Sequence, residues 1–259
     1  MLTLIDFNYL PAFLLIFARL VAFIATVPIF SYRNIPNSFK IGIAFFISLI
    51  IVSTIEVPAL SIDLMYLLLL FKEVMVGLII GLVATLILTI VQIAGGFIDF
   101  QMGFAIANVM DPQTGAQSPI IGQYFYTFAL LFILAIDGHH LLINGAVASF
   151  NFVELDQLIN FASQNYITTV IVMFSQMFLI AFQMAIPIVG SLFLVDVALG
   201  IIARTVPQLN VFVVGIPLKI TVSFIAISVY LIFYISIVKR LFGYTLEVMD
   251  SFMRILGGI

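Results

Sequence analysis

Asp137-Gly138-His139-His140 is the cluster in this chain whose side chains could carry acid–base or metal chemistry. The two histidines are adjacent, so on a helix they point about 100° apart. They do not make the i, i+4 pair of a zinc-binding helix. No His-Glu-x-x-His and no Gly-x-Ser-x-Gly occurs. An intramembrane aspartyl protease would want two aspartates in contexts such as Gly-x-Gly-Asp, which is absent. With no cysteine there is no thiolate ligand or disulfide framework, and no phosphate-binding loop is present. The tetrapeptide reads as a polar helix end at an interface, and no enzyme, metal or cofactor site is expected.

The other polar chemistry is a set of charges in apolar surroundings. Arg19, Lys72, Glu73, Asp196 and Lys219 lie inside or at the ends of hydrophobic segments. An ionised residue at the centre of a membrane helix costs about 2.5–3.5 kcal/mol on insertion scales. Most of the five must therefore snorkel, pair, or face the interior of an assembly. Lys72 and Glu73 are neighbours and leave the helix in different directions, so they are expected to be poor partners for each other. Asp196 and Arg204 are two turns apart, about 12 Å along the axis, too far for a direct bond unless the helix breaks. Two readings stay open: structural pairing or capping within a helical assembly, and a transport pathway.

What positions these residues follows from composition. Of 259 residues, 64% are apolar and 8% charged, whereas soluble domains carry about 25% charged residues. A soluble fold of this length could not cover that excess, so lipid must be part of the solvent. The net charge of −3 contains no basic run, which argues against nucleic acid. The N-terminal stretch has Asp6 as its first charge, an apolar run too long for a signal peptide and no small-x-small site, so it is expected to stay as a first membrane helix.

Polar and turn-forming clusters divide the chain into about six hydrophobic helical segments. The first runs from Phe7 to Phe30, before the cluster leading to Pro36-Asn37; the second, Ile41 to Ile55, stops at Glu56-Val57-Pro58. The third, Leu64 to Ile98, exceeds the roughly 20 residues that cross a bilayer core, so it must tilt, bend or project. Its Gly77 and Gly81 form a G-x-x-x-G pair that either admits a neighbouring helix closely or is incidental. The fourth covers Ile120 to Ile136, followed by a shorter piece, Leu141 to Phe152, and a polar connector, Glu154 to Gln164. The fifth, Tyr166 to Ile202, carries Pro187, where a kink is expected. The last, Val211 to Val238, ends at Lys239-Arg240, and a mildly amphipathic tail finishes the chain.

Between the third and fourth segments lies Asp99 to Pro119. It is too rich in Gly and Pro for a clean span and too apolar, with Phe100, Met102, Phe104, Ile106, Val109 and Met110, for a solvated loop. Such backbone at membrane depth is tolerated where it is buried in protein or lines a cavity. It reads either as a functional excursion or as a loop packed on its own bundle. Loop charges do not orient the chain, because Arg33, Lys40 and Arg204 on one side face Lys72, Lys239, Arg240 and Arg254 on the other. The fold class is thus all-α, a polytopic membrane protein whose long, kinked helices form hairpins in a larger assembly.

Three stretches together resemble the FliR family of flagellar biosynthetic proteins and its counterpart in virulence-type type III secretion. They are Gly96-Phe-Ile-Asp-Phe-Gln-Met-Gly103 continuing to Asp111-Pro112, then Ile136-Asp-Gly-His-His-Leu-Leu-Ile143, then Asp196 to Arg204 running through Val206-Pro-Gln-Leu-Asn210 to Lys219. Arg19, the Val27-Pro28-Ile29 turn and the Pro36 loop also fit, so the resemblance covers nearly the whole chain in order.

The resemblance implies one export-gate membrane domain over residues 1–259 in the bacterial inner membrane, at the flagellar basal body. It implies assembly with FliP and FliQ type subunits and other export-apparatus membrane proteins, in contact with lipid, to pass unfolded proteins across the membrane. Helices buried in neighbouring subunits would also explain the undecided loop charges. By motif, Gln101, Met102, Gly103, Phe104, Met110, Asp111 and Pro112 look like the family's loop in the closed pore. Flexible Met and flat Phe side chains suit a seal that must repack around any passing chain. Arg19, Asp196, Arg204, Pro207, Gln208, Asn210 and Lys219 look like polar elements of assembly and helix joining. The alternatives are a small secondary transporter with a midplane solute site in the broken third and fifth segments, for which no internal symmetry is evident, and a purely structural membrane scaffold.

Overall fold

The computed structural model describes residues 9–32, 34–55, 60, 62–104, 119–159, 165–208 and 210–258. Among these residues the regular structure is entirely helical, in eight helices. They are α1 (Leu10–Thr26), α2 (Asn37–Val52), α3 (Leu64–Leu88), α4 (Ile90–Met102), α5 (Ile120–Ala135), α6 (Gly138–Phe152), α7 (Asn165–Thr205) and α8 (Val211–Leu256). Three stretches are long and apolar enough to cross a membrane: Leu64–Met102, Tyr166–Thr205 and Val211–Leu256. Helices α5 and α6 are long enough only when taken together, and α1 and α2 are shorter apolar helices. The expected all-α membrane architecture is what the chain adopts.

Local chemistry explains where the helices start and stop. Pro11 occupies the first turn of α1, where its missing N–H would have no partner anyway. Val27, extended at ψ 139°, ends α1 because the residue before Pro28 is pushed out of the helical region. The third hydrophobic segment is broken only at Thr89 and continues as α4 to Met102. Asp137 takes a left-handed conformation (φ 57°) and separates α5 from α6. Pro187 and Pro217 both lie within continuous helices, and Ser191 and Thr221 donate their hydroxyls to those prolines' own carbonyls, at 2.7 and 2.9 Å.

The C-terminal boundary of the last span departs from the sequence expectation. Lys239-Arg240 does not end the last span, since α8 is a single helix of 46 residues that includes the expected tail. Charges do not stop a helix. Beyond them Leu241, Phe242, Val248, Met249, Phe252 and Met253 bury one face, and Arg254 pairs with Asp250 one turn earlier at 2.7 Å.

The chain divides into two compact units. The first contains α1, α2, nearly all of α3, α6, the start of α7 and the end of α8. Its core includes Leu15, Ile16, Leu20, Phe23, Ile24, Val76, Ile80 and Leu142. The Gly77–Gly81 pair is a genuine close approach: a Cβ at Gly77 would strike the carbonyl oxygen of Arg19, and one at Gly81 the hydroxyl of Thr26. Thr85 then donates to the Thr26 carbonyl at 2.6 Å, tying α3 to the end of α1.

The second unit contains α4, α5, α7 from Phe174 to its end and α8 from its start to Phe242. Its core includes Ile90, Val91, Ala94, Ile98, Met102, Phe125, Ile133, Ile188, Leu192 and Val238. Helices α4 and α5 pack as a hairpin, and they approach so closely that a Cβ on Gly95 would meet the backbone of Gly122. Tyr234 donates its hydroxyl to the Phe125 carbonyl, fixing α8 on α5.

Candidate functional site

The charges that composition makes expensive are gathered into two clusters, one in each unit. In the first unit Arg19 is fully buried. Its Nε and Nη2 donate to the two carboxylate oxygens of Glu73 at 2.5 and 3.0 Å, a bidentate geometry that matches guanidinium to carboxylate. Its Nη1 donates to Ser149 Oγ at 3.0 Å and Nη2 also to the Val153 carbonyl at 2.8 Å. The guanidinium lies 4.0 Å above the centre of the Phe150 ring, a favourable cation–π placement.

Lys72 joins this cluster, contrary to the expectation that it and Glu73 are poor partners. Its Nζ lies 2.5 Å from Glu73 Oε1 and donates to the Glu154 carbonyl at 2.6 Å. Adjacent Cβ atoms diverge, but the four-carbon lysine stem is long enough to bring its ammonium back over the neighbouring carboxylate. The carboxylate of Glu73 thus serves two cations, while backbone carbonyls at the end of α6 and just beyond it supply the remaining acceptors. All three guanidinium nitrogens of Arg19 donate to protein acceptors, which makes the cluster a structural joint of α1, α3 and α6.

In the second unit Asp196 of α7 is the hub. Its Oδ2 accepts from Gln101 Nε2 of α4 at 2.8 Å and from Lys219 Nζ of α8 at 3.0 Å, and its Oδ1 lies 2.9 Å from the same Nζ. Arg204 does not take part: α7 is continuous between the two residues, and Arg204 is exposed in its last turn. Unlike the first cluster this one is only partly enclosed, with the Asp196 side chain 40% exposed and that of Lys219 18%. Pro207, Gln208 and Asn210 are exposed in the turn between α7 and α8. There Asn210 Oδ1 accepts from the Phe212 N–H at 3.1 Å and caps α8.

Residues 101–104 lie at the point where α4 ends. Gln101 and Met102 are still helical, and Met102 is fully buried in the core, so the non-helical stretch begins at Gly103 rather than at Asp99. Gly103 adopts φ 91°, and the Phe104 N–H closes on the Asp99 carbonyl at 3.0 Å, a left-handed helix cap that favours glycine. Phe104 lines a largely apolar cavity of about 730 Å³ with Ile120, Tyr124, Phe125, Phe224 and Leu231. Met110, Asp111 and Pro112 lie outside the described residues.

A residue that sequence reasoning left unassigned holds the other stem. The buried Asp99 carboxylate accepts from the Ile121 N–H through both oxygens, at 3.2 and 3.0 Å. It therefore caps α5 from across the hairpin. The stems of the segment 105–118, at residues 104 and 119, are fastened by Asp99 on one side and by the Asp196 cluster on the other. Asp99 stood in the sequence as an intramembrane carboxylate at the edge of a long apolar run, the signal that could have found it.

The Asp137 tetrapeptide differs from expectation in one respect. The imidazoles of His139 and His140 lean together with ring centres 4.1 Å apart, because both side chains leave the first turn of α6 where no preceding turn blocks them. Ligand atoms of Asp137, His139 and His140 lie within 4.8 Å of one another, with Asp137 and His140 exposed. The group stands at a polar helix end, as its sequence indicates.

Comparison with known proteins places this arrangement. The family of bacterial export proteins, family 1, matches residues 10–245. The chain is 54% identical over 249 residues to the flagellar biosynthetic protein FliR of Bacillus subtilis (strain 168), covering 95% of this chain and 96% of that protein. It is 30% identical over 209 residues to FliR of Escherichia coli (strain K12), covering 79% and 78%. It is 31% identical over 182 residues to the Yop proteins translocation protein T of Yersinia pestis, covering 67% of each chain. With the family matched over most of its length and its all-helical, apolar architecture in agreement, the chain belongs to the bacterial export proteins, family 1.

Proposed function

We propose that this chain is a subunit of the flagellar type III protein export gate. With FliP and FliQ type partners it forms the channel that passes unfolded flagellar proteins across the bacterial inner membrane, within the basal body. The observation that carries the reading is the pinned hairpin of α4 and α5. Asp99 and Gln101 fasten the stems of an apolar Gly/Met/Phe segment to rigid helices, the construction needed to hold a compliant seal in a fixed place. The names of its relatives, flagellar biosynthetic protein and translocation protein, accord with it.

The surface suits burial against partners as well as lipid. Over its most apolar length only 22% of α7, and the same share of α8, is buried within the chain. Phe174, Phe178 and Phe182 make an exposed stripe along α7 at the four-residue spacing that presents one helix face. Buried in neighbouring subunits, such faces account for a chain whose loop charges do not choose an orientation. The charges are consumed internally rather than arranged around a solute, so a secondary transporter has little to work with. In this reading Gln101 to Phe104, with Met110, Asp111 and Pro112, belong to the closure of the pore, and Arg19, Asp196, Arg204, Lys219 and the Pro207–Asn210 turn to assembly and the joining of helices.

The test is a tagged pull-down of the full chain in mild detergent with mass spectrometry of co-eluting proteins. Small hydrophobic partners in fixed ratio, in one discrete large particle, are expected. A monodisperse monomer or homodimer that binds a small solute would overturn the proposal in favour of a transporter.

A further inference from the structure

Two ionic clusters built from the same chemistry differ in how firmly they are enclosed, and the difference assigns them different tasks. The Arg19–Glu73–Lys72 cluster has side chains exposed by 4% or less, so opening it would strand charges away from water. The Asp196–Lys219 pair is 40% and 18% exposed, so its members have an alternative partner in water or in a polar neighbour when they separate. The second cluster is thus the less costly of the two to open.

What it holds is specific. Gln101 stands in the last turn of α4, one residue before buried Met102 and two before the left-handed Gly103. Its amide donates to Asp196 Oδ2, the oxygen that also accepts from Lys219. Lys219 therefore orients the carboxylate, and the carboxylate holds the end of α4. We propose that Asp196 is a positioning residue that works as a releasable clasp. Shared between Gln101 and Lys219, it keeps the last turn of α4 in its resting register against α7 and α8, and its release frees that turn when substrate passes. The link to export rests on the function proposed above; the clasp itself does not.

The chemistry allows an exchange test, because amide and carboxylate can trade places across the contact. Gln101→Glu sets two carboxylates against each other, and Asp196→Asn removes the carboxylate that pairs with Lys219. Gln101→Glu combined with Asp196→Asn restores an amide–carboxylate pair within reach of the Lys219 ammonium. Each full-length variant is purified in its native membrane complex, and amide hydrogen exchange is followed across residues 99–104. Exchange should quicken about tenfold in each single variant, the shift from losing one charge-assisted hydrogen bond at a half-exposed site, and return to the wild-type rate in the exchanged pair. Resting ion leak in cells should follow the same order.

Single variants with unchanged protection, or an exchanged pair no better protected than the singles, overturn the clasp. If a single variant fails to assemble, the exchanged pair decides alone: assembly with wild-type protection supports the clasp, and failure overturns it. Protection that follows the predicted order while leak stays at the wild-type level in every variant removes the link to sealing, so the proposal fails in that part. A deletion strain that still exports flagellar proteins refutes the export-gate reading separately, whatever the exchange rates are.

Discussion

Arg19 and Glu73, 54 residues apart in sequence, are joined through two hydrogen bonds in a site from which solvent is excluded. The pair determines how α1 sits on α3, and Ser149, Phe150 and Val153 extend the joint to α6. Breaking a buried pair by removing one partner costs about 3–5 kcal/mol, whereas replacing the whole group by apolar residues of similar size is far milder. Glu73→Gln is therefore expected to be the damaging change, because it leaves the Arg19 and Lys72 cations facing each other without the carboxylate they share. Arg19→Met, Lys72→Met and Glu73→Leu combined should be distinctly more stable than Glu73→Gln. Thermal unfolding of the detergent-solubilised complex checks this order; equal stabilities would show that the cluster contributes little.

That pairing marks the limit of what the chain discloses without a structure. The apolar segments were legible because Pro36, Pro58, the Gly/Pro-rich stretch after Ile98 and the Pro207–Asn210 turn interrupt them with residues that either break helices or solvate loops. Which buried charge meets which was not legible, since no local pattern links Arg19 to Glu73 or Gln101 to Asp196. Cβ directions alone do not disclose the Lys72–Glu73 contact, which depends on the reach of the lysine stem. The end of α8 is hidden for a related reason. Lys239-Arg240 resembles the polar boundary of a span, yet the buried face formed by Leu241, Met249 and Phe252 carries the helix on.

Gly77 and Gly81 set the distance between α3 and α1, and each faces a fixed atom: the Arg19 carbonyl oxygen and the Thr26 side chain. Gly77→Leu is expected to push α3 away and open the ion cluster beneath, since the obstacle is backbone that cannot rotate aside. Overpacking of this kind costs about 1–3 kcal/mol or more, so the amount of assembled complex in membranes should fall severalfold. Gly42, which has open space around the position of a Cβ, supplies the control: Gly42→Leu should leave the yield unchanged. Equal yields of Gly77→Leu and Gly42→Leu would contradict the close approach.

Asp99 caps α5 from the neighbouring helix, so its loss leaves the Ile121 N–H without its acceptor. Removal of a capping side chain costs about 0.5–2 kcal/mol. Asp99→Ala should therefore speed amide exchange in the first turn of α5 by about tenfold, the change of one pKa unit or 1.4 kcal/mol in an equilibrium. Asp99→Asn keeps an acceptor oxygen and should stay near the wild-type rate. If both variants exchange alike, the carboxylate does not hold this stem through its hydrogen bond.

The sealing role proposed for the segment between the stems yields the last prediction, and the structure sharpens where to cut. Met102 is part of the α4 core, so a deletion that includes it would damage the hairpin and confuse a lost seal with a lost fold. Deletion of residues 105–110, or Phe104→Gly with Met110→Gly, removes bulky side chains while leaving Asp99, Gln101 and the Gly103 cap in place. Apolar side chains exclude ions by filling space, and glycine fills none of it. These variants should assemble at normal levels, depolarise the membrane through leak of small ions, and still export flagellar proteins while the membrane potential is maintained. Variants that assemble, stay tight and export normally would show that these residues are not the seal.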